Sequence, residues 1–209
     1  MELKGKIINV LGDSITEGVG TSAKDKRFPD VLKELSGAEL VRNYGWSGTR
    51  IARHSEDTNK SSFVERFGTM DDNADLVLVF GGTNDYGHGD ATLGAMSDRI
   101  DNTFYGALHL LYSGLIKKYP TARIVIMTPT HRANENNGSS NGLPLVAYVN
   151  AIREVADYYS LPIIDMYKNG GICPDIAEQR EAFCPDGLHP NDAGNRRIAE
   201  YLNASLKAL

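Results

Sequence analysis

The 209-residue chain is poor in three things: cysteine, long apolar runs and positive charge. Two cysteines, Cys173 and Cys184, rule out a disulfide-dense scaffold. They lie close in sequence, so a bond between them is conceivable in an oxidising compartment; two free thiols is the favoured reading. No apolar run approaches the roughly 18–20 residues that a membrane span needs. The first residues open directly onto a short apolar stretch, Ile7 to Leu11, with none of the longer apolar region of a secretion leader. The expectation is a cytoplasmic protein, secreted or periplasmic only if a leader has been removed. Lysine and arginine number 22 against 27 aspartates and glutamates, a net charge of −5. Nucleic-acid binding needs a basic field, so no nucleic-acid partner is expected.

Several motifs are missing too. No strand-to-helix Gly-x-Ser-x-Gly elbow is present: the one stretch with that spacing, Gly138-Ser139-Ser140-Asn141-Gly142, falls in a polar segment and does not follow an apolar strand pattern, which argues against the ordinary α/β-hydrolase arrangement. There is no phosphate-binding Gly-x-x-x-x-Gly-Lys-Ser/Thr and no His-Glu-x-x-His zinc motif. Asp71-Asp72-Asn73 resembles the start of a calcium loop but lacks the glycine and distal glutamate, so it reads as a solvated turn. No metal and no cofactor is implied.

What is present is ordinary globular composition: 41% hydrophobic and 23% charged residues, enough to support a packed core. Short apolar runs alternate with helical patterns. Lys6–Leu11 reads as a buried strand, and Phe28–Leu35 as a helix with Val31, Leu32 and Leu35 on one face. Leu40 and Val41 begin a second strand that ends at Asn43. Leu76–Phe80 is apolar throughout, as a strand covered on both faces should be. Phe104, Leu108, Leu111 and Leu115 form a helical stripe with Asn102 as its candidate cap. Arg123–Met127 is a strand, Pro144–Tyr159 a helix, Leu161–Met166 a fifth strand, and Asn191 to the C-terminus a final helix. No break in composition divides the chain, so one domain over residues 1–209 is expected. The alternation predicts a three-layer α/β/α architecture: a flavodoxin-like, five-stranded parallel sheet with helices on both faces. Asn134–Gly142 is polar and reads either as a lid or as a solvated loop.

In open α/β sheets, ligands bind at the carboxyl ends of strands. The segments at those ends are Gly12-Asp13-Ser14-Ile15, Asn43-Tyr44-Gly45-Trp46-Ser47-Gly48 and Gly81-Gly82-Thr83-Asn84-Asp85. Near the C-terminus stands Cys184-Pro185-Asp186-Gly187-Leu188-His189. Each alone reads as a turn. Four in this order, spanning residues 12 to 190, resemble the SGNH (GDSL-type) hydrolases. Ile15 replaces the leucine of the GDSL label, and Asp13 falls outside the expected triad as a residue that orients the turn.

The chemistry of the residues agrees with the resemblance. A serine hydroxyl is a weak nucleophile unless a base stands within hydrogen-bond reach. His189 is the candidate base. Asp186, three residues earlier, is spaced to fix its tautomer and to stabilise the imidazolium. The resemblance implies Ser14, Asp186 and His189 as catalytic residues. It also implies an oxyanion hole made by the Ser14 and Gly48 N–H groups and the Asn84 side-chain amide. Of the other histidines, His54, His88 and His131 fall in loops near the expected cleft, and His109 reads as structural.

The expected reaction is hydrolysis of a carboxylic ester through an acyl-Ser14 intermediate. Candidate substrate contacts are Trp46, Arg50, Tyr86, His88 and His131, with Arg53, His54 and Arg132 nearby. Such polar and aromatic side chains suit a small acyl group on a polar alcohol, such as an acetylated sugar, better than a long acyl tunnel does. The alternatives are a lysophospholipase or thioesterase, an acyltransferase of the same superfamily, or a flavodoxin-like module that binds a ligand without catalysis.

Overall fold

The structure is a computed structural model that describes residues 1–54, 62–138 and 140–209. In chain order the strands are β1 (Ile7–Gly12), β2 (Leu40–Gly45), β3 (Leu76–Phe80), β4 (Arg123–Met127) and β5 (Ile163–Ile164). The helices are α1 (Ser14–Glu17), α2 (Phe28–Ser36), α3 (Phe63–Arg66), α4 (Thr83–His88), α5 (Phe104–Lys118), α6 (Leu145–Tyr158), α7 (Met166–Asn169), α8 (Ala177–Phe183) and α9 (Asp192–Ala208). The strands form one parallel sheet in the order β2-β1-β3-β4-β5.

The two-residue period of a strand sorts the apolar side chains into two cores. Leu11, Val77, Val79, Ile124 and Ile126 face α5 and α6, meeting Leu108, Leu111, Leu115, Val149, Ile152 and Val155. Ile8, Val10, Leu76, Leu78, Phe80, Val125 and Met127 face α2 and α9, meeting Val31, Leu32, Ile198, Leu202 and Leu206. β3 lies between β1 and β4 with all five residues buried. Trimming Leu78 to alanine there would cost about 2–5 kcal/mol.

Helix ends follow local chemistry. α2 has Pro29 in its first turn and stops at Gly37, whose φ is 69°. α9 is capped by Asn191, whose side chain accepts the Gly194 N–H. The cap of α5 is Thr103, not Asn102: its hydroxyl accepts the Gly106 N–H at 3.3 Å.

Two strands differ in length from the sequence pattern. β2 runs on to Gly45, where any Cβ would sit 2.1 Å from the Glu17 nitrogen, so only glycine lets this strand end lie against α1. β5 shrinks to two residues. Pro162 has no N–H to give a ladder, and Asp165 leaves the sheet to cap α7 by accepting the Lys168 N–H. Cys173 and Cys184 are both free thiols. Among the described residues, no helix is long and apolar enough to cross a membrane. Of the expected lid or solvated loop, Ser139 lies outside the described residues.

Candidate active site

β1 delivers Ser14. The strand ends at Gly12, Asp13 caps α1 by accepting the Ile15 N–H at 3.0 Å, and Ser14 is the first helical residue. β3 delivers Asn84 in the first turn of α4. The turn ahead of α9 delivers Asp186 and His189. Residues 175 positions apart thus meet: His189 Nε2 lies 3.0 Å from Ser14 Oγ. On the other side of the ring, Nδ1 lies 2.6 Å from Asp186 Oδ2.

The protons follow from these partners. An ionised carboxylate only accepts, so Nδ1 carries the ring proton and Nε2 is left to accept from the Ser14 hydroxyl. Burial works against ionisation of Asp186. It is outweighed by the backbone N–H groups of His189 and Leu188 and by the imidazole, which hold the carboxyl below its usual range.

The Gly48 segment is held from several sides. Glu17 Oε2 accepts the Ser47 N–H at 2.6 Å and also the Ser47 hydroxyl. Trp46 N–H donates to Gly12 O at 3.1 Å. Asn84 Nδ2 donates to Thr49 O at 3.0 Å, which sets the amide against the residue after Gly48. Gly48 has φ 76°, a conformation costly for a residue with a Cβ. Neither the Ser14 N–H nor the Gly48 N–H meets an acceptor among the described residues. Only one of the two Asn84 amide protons is engaged.

Sequence reasoning missed the buried frame beneath. Arg66, from α3, donates to Gly12 O at 2.6 Å, Tyr44 O at 2.7 Å and the Thr49 hydroxyl at 3.2 Å, joining the segments at the ends of β1 and β2. Asp85, adjacent to Asn84, accepts the Ile51 and Ala52 N–H groups, each at 2.9 Å. Burial pushes the Asp85 carboxyl up to about 6 against those two bonds. Burial likewise pushes Asp13 up to about 7, against the Ile15 N–H and helped by the charge of Asp85. It lowers Arg66 to about 10. Nothing in the sequence pattern marks Arg66, because its partners are two backbone oxygens and a threonine hydroxyl distant in sequence.

The remaining expected residues divide. Trp46 is 40% exposed, His88 is exposed and His131 is half-buried. His131 Nδ1 lies 2.8 Å from Glu135 Oε1, and its ring lies 3.9 Å from that of Tyr167. Arg50 is buried and locked to Asp90 through Nε at 2.8 Å and Nη2 at 2.6 Å, with Nη1 on His54. Tyr86 is buried, and its hydroxyl donates to Asn134 O. The polar ends of Arg50 and Tyr86 are therefore already engaged. His109 is fully buried between Tyr159 and Met96 O, as a structural residue should be. No cluster of three or more His, Cys, Asp or Glu side chains arranged to hold a metal occurs among the described residues.

Comparison with known proteins shows the family and the fold. Residues 10–197 match the model of the GDSL-like lipase/acylhydrolase family. A solved protein from Lactobacillus plantarum is 31% identical, with 98% of each chain covered and a TM-score of 0.88. An aryl esterase of M. smegmatis shares the fold at 20% identity, with 98% of this chain and 99% of that one covered and a TM-score of 0.73. A carbohydrate acetylesterase family member from Sinorhizobium meliloti does so at 22% identity, with 97% and 98% covered and a TM-score of 0.65. A search of curated proteins finds no match. With its sequence matched over nearly its whole length, the chain belongs to the GDSL-like lipase/acylhydrolase family, hydrolases that act on ester bonds.

Proposed function

We propose that the chain is a serine esterase that removes a small acyl group, such as acetyl, from a polar alcohol, with an acetylated sugar as the leading substrate class. The observation that carries the catalytic part is the continuous chain Ser14 Oγ, His189, Asp186, with contacts of 3.0 and 2.6 Å.

Ser14 Oγ attacks the ester carbonyl carbon while its proton passes to His189 Nε2. Asp186 stabilises the imidazolium without taking its proton. The charge that develops on the carbonyl oxygen is met by the Ser14 and Gly48 N–H groups and by the unengaged proton of the Asn84 amide. One such donor is worth about 3–4 kcal/mol in the transition state. The tetrahedral species collapses, the bond to the alcohol oxygen breaks, and His189 returns its proton to that oxygen. Water, deprotonated by His189, then attacks the acyl-Ser14 ester and releases the acid.

The preference for a polar alcohol rests on the open side chains. Trp46 offers a flat apolar face, and His88 and His131 offer polar groups for hydroxyls. Arg50 and Tyr86 act through the side chains and loops they hold.

The test is covalent trapping. A fluorophosphonate should add one phosphonyl group to the wild type, on the peptide that contains Ser14, and none to Ser14→Ala. Labelling of another residue, or of neither protein, would contradict the mechanism.

A further inference from the structure

Arg132 has no part in the chemistry just described, yet it stands between two of its components. It lies in the segment after β4. Its neighbour Ala133 donates an N–H to Gly187 O at 2.8 Å, one residue beyond Asp186. Its side chain reaches α4, where Nη1 donates to Thr83 O at 3.1 Å and Thr83 Oγ1 at 3.3 Å. Thr83 immediately precedes Asn84. The guanidinium also lies 5.3 Å from the Tyr86 ring centroid.

What Arg132 lacks is a counterion. Among the described residues it forms no ion pair, and its Nε and Nη2 meet no acceptor. Glu135 is close in sequence, but both of its oxygens are taken. Oε1 accepts from His131 and from the Tyr167 hydroxyl, each at 2.8 Å, and Oε2 accepts the backbone N–H of Arg132 itself at 3.0 Å. Asp186 is bound to His189, and Asp13 to the Ile15 N–H. Both act on Arg132 through their fields without pairing with it.

Of the other less exposed arginines, Arg180 and Arg197 meet one backbone oxygen each, Pro174 O and Gly171 O, and lie away from the site, while those held deeper or by carboxylates are provided for. Arg50 is paired bidentately with Asp90, Arg153 is paired with Asp165, and Arg66 is met by three oxygens. A half-buried guanidinium without a carboxylate carries a desolvation cost that an incoming anion would relieve. Its fork of N–H donors matches a carboxylate or phosphate bidentately.

We propose that Arg132 recognises an oxyanion, carboxylate or phosphate, borne by the substrate, and makes the enzyme selective for anionic esters. The inference refines the substrate class of the esterase proposed above and rests on that reading. The polar alcohol would then be one that carries an acid, or the acyl group one that ends in a carboxylate.

Two matched pairs of esters distinguish these sources. 3-Acetoxybenzoate against 3-acetoxybenzamide places the charge on the alcohol part. Mono-4-nitrophenyl succinate against 4-nitrophenyl butyrate places it on the acyl part. The wild type should favour the anionic member of one pair, and Arg132→Met should lower that kcat/KM ratio by at least about tenfold. Arg132→Lys, which keeps the charge but loses the fork, should fall between. A ratio near one in both pairs for the wild type would overturn the proposal. So would an equal loss on both members in Arg132→Met, which would mark Arg132 as a support for Thr83.

Calorimetric titration of Ser14→Ala with the two anionic esters reads binding without turnover. Adding Arg132→Met should weaken binding of the favoured one by about tenfold; unchanged affinity for both overturns the assignment. Absence of turnover by the wild type on every ester would instead count against the esterase reading, so the two fail separately.

Discussion

Asp186 grips His189 at two points. Its Oδ1 accepts the His189 backbone N–H at 2.7 Å, and its Oδ2 meets the ring Nδ1 at 2.6 Å. One carboxylate thus fixes both the backbone that carries the imidazole and the tautomer that the imidazole adopts. Asp186→Asn should preserve the turn, because an amide oxygen still accepts the N–H groups, but it loses the tautomer control. A fall in kcat of about 10⁴ is expected, with little change in thermal stability. A loss below tenfold, measured on a substrate whose acylation limits the rate, would contradict the role.

The proposed mechanism gives Asn84 two tasks on one amide. One proton is committed to Thr49 O, and the other is left for the developing oxyanion. Asn84→Ala should lower kcat about 10²–10³-fold with a smaller effect on KM. A loss under fivefold would assign the side chain to holding the Gly48 segment.

The buried pair Asp13 and Asp85 makes stability depend on pH. Burial is the main cause in both, raising Asp13 to about 7 and Asp85 to about 6 from an ordinary 3.8. A carboxyl raised on folding holds its proton more tightly in the folded chain. Its contribution is therefore fully present below pH 3.8 and is lost as pH rises through 6 and 7. Asp13→Asn keeps an acceptor for the Ile15 N–H and removes the charge. Urea denaturation should show this variant gaining on the wild type between pH 5 and pH 8, by an amount of order 1–4 kcal/mol. An unchanged difference at the two pH values would contradict it.

Much of this was legible in the sequence, and the exceptions have causes. Leu76–Phe80 announced a central strand because a strand covered on both faces has no polar side to display. The three strand-end segments and the Asp186–His189 turn mark the candidate site because each carries its chemistry within a few residues. β5 was overestimated because Leu161–Met166 is apolar enough for a strand, while Pro162 and the capping by Asp165 end the ladder. Arg50 and Tyr86 looked available as contacts because a sequence does not display partners such as Asp90 and Asn134 O. Arg66 and Glu135 were invisible for a related reason: what singles them out is the buried company the fold gives them.

The most direct measurement is hydrolysis of 4-nitrophenyl acetate, butyrate and octanoate by the wild type beside Ser14→Ala, with folding of both verified by circular dichroism. The account predicts that acetate is the best substrate of the wild type and that the folded variant loses turnover of all three. A folded Ser14→Ala that keeps more than a few per cent of the wild-type rate would contradict it.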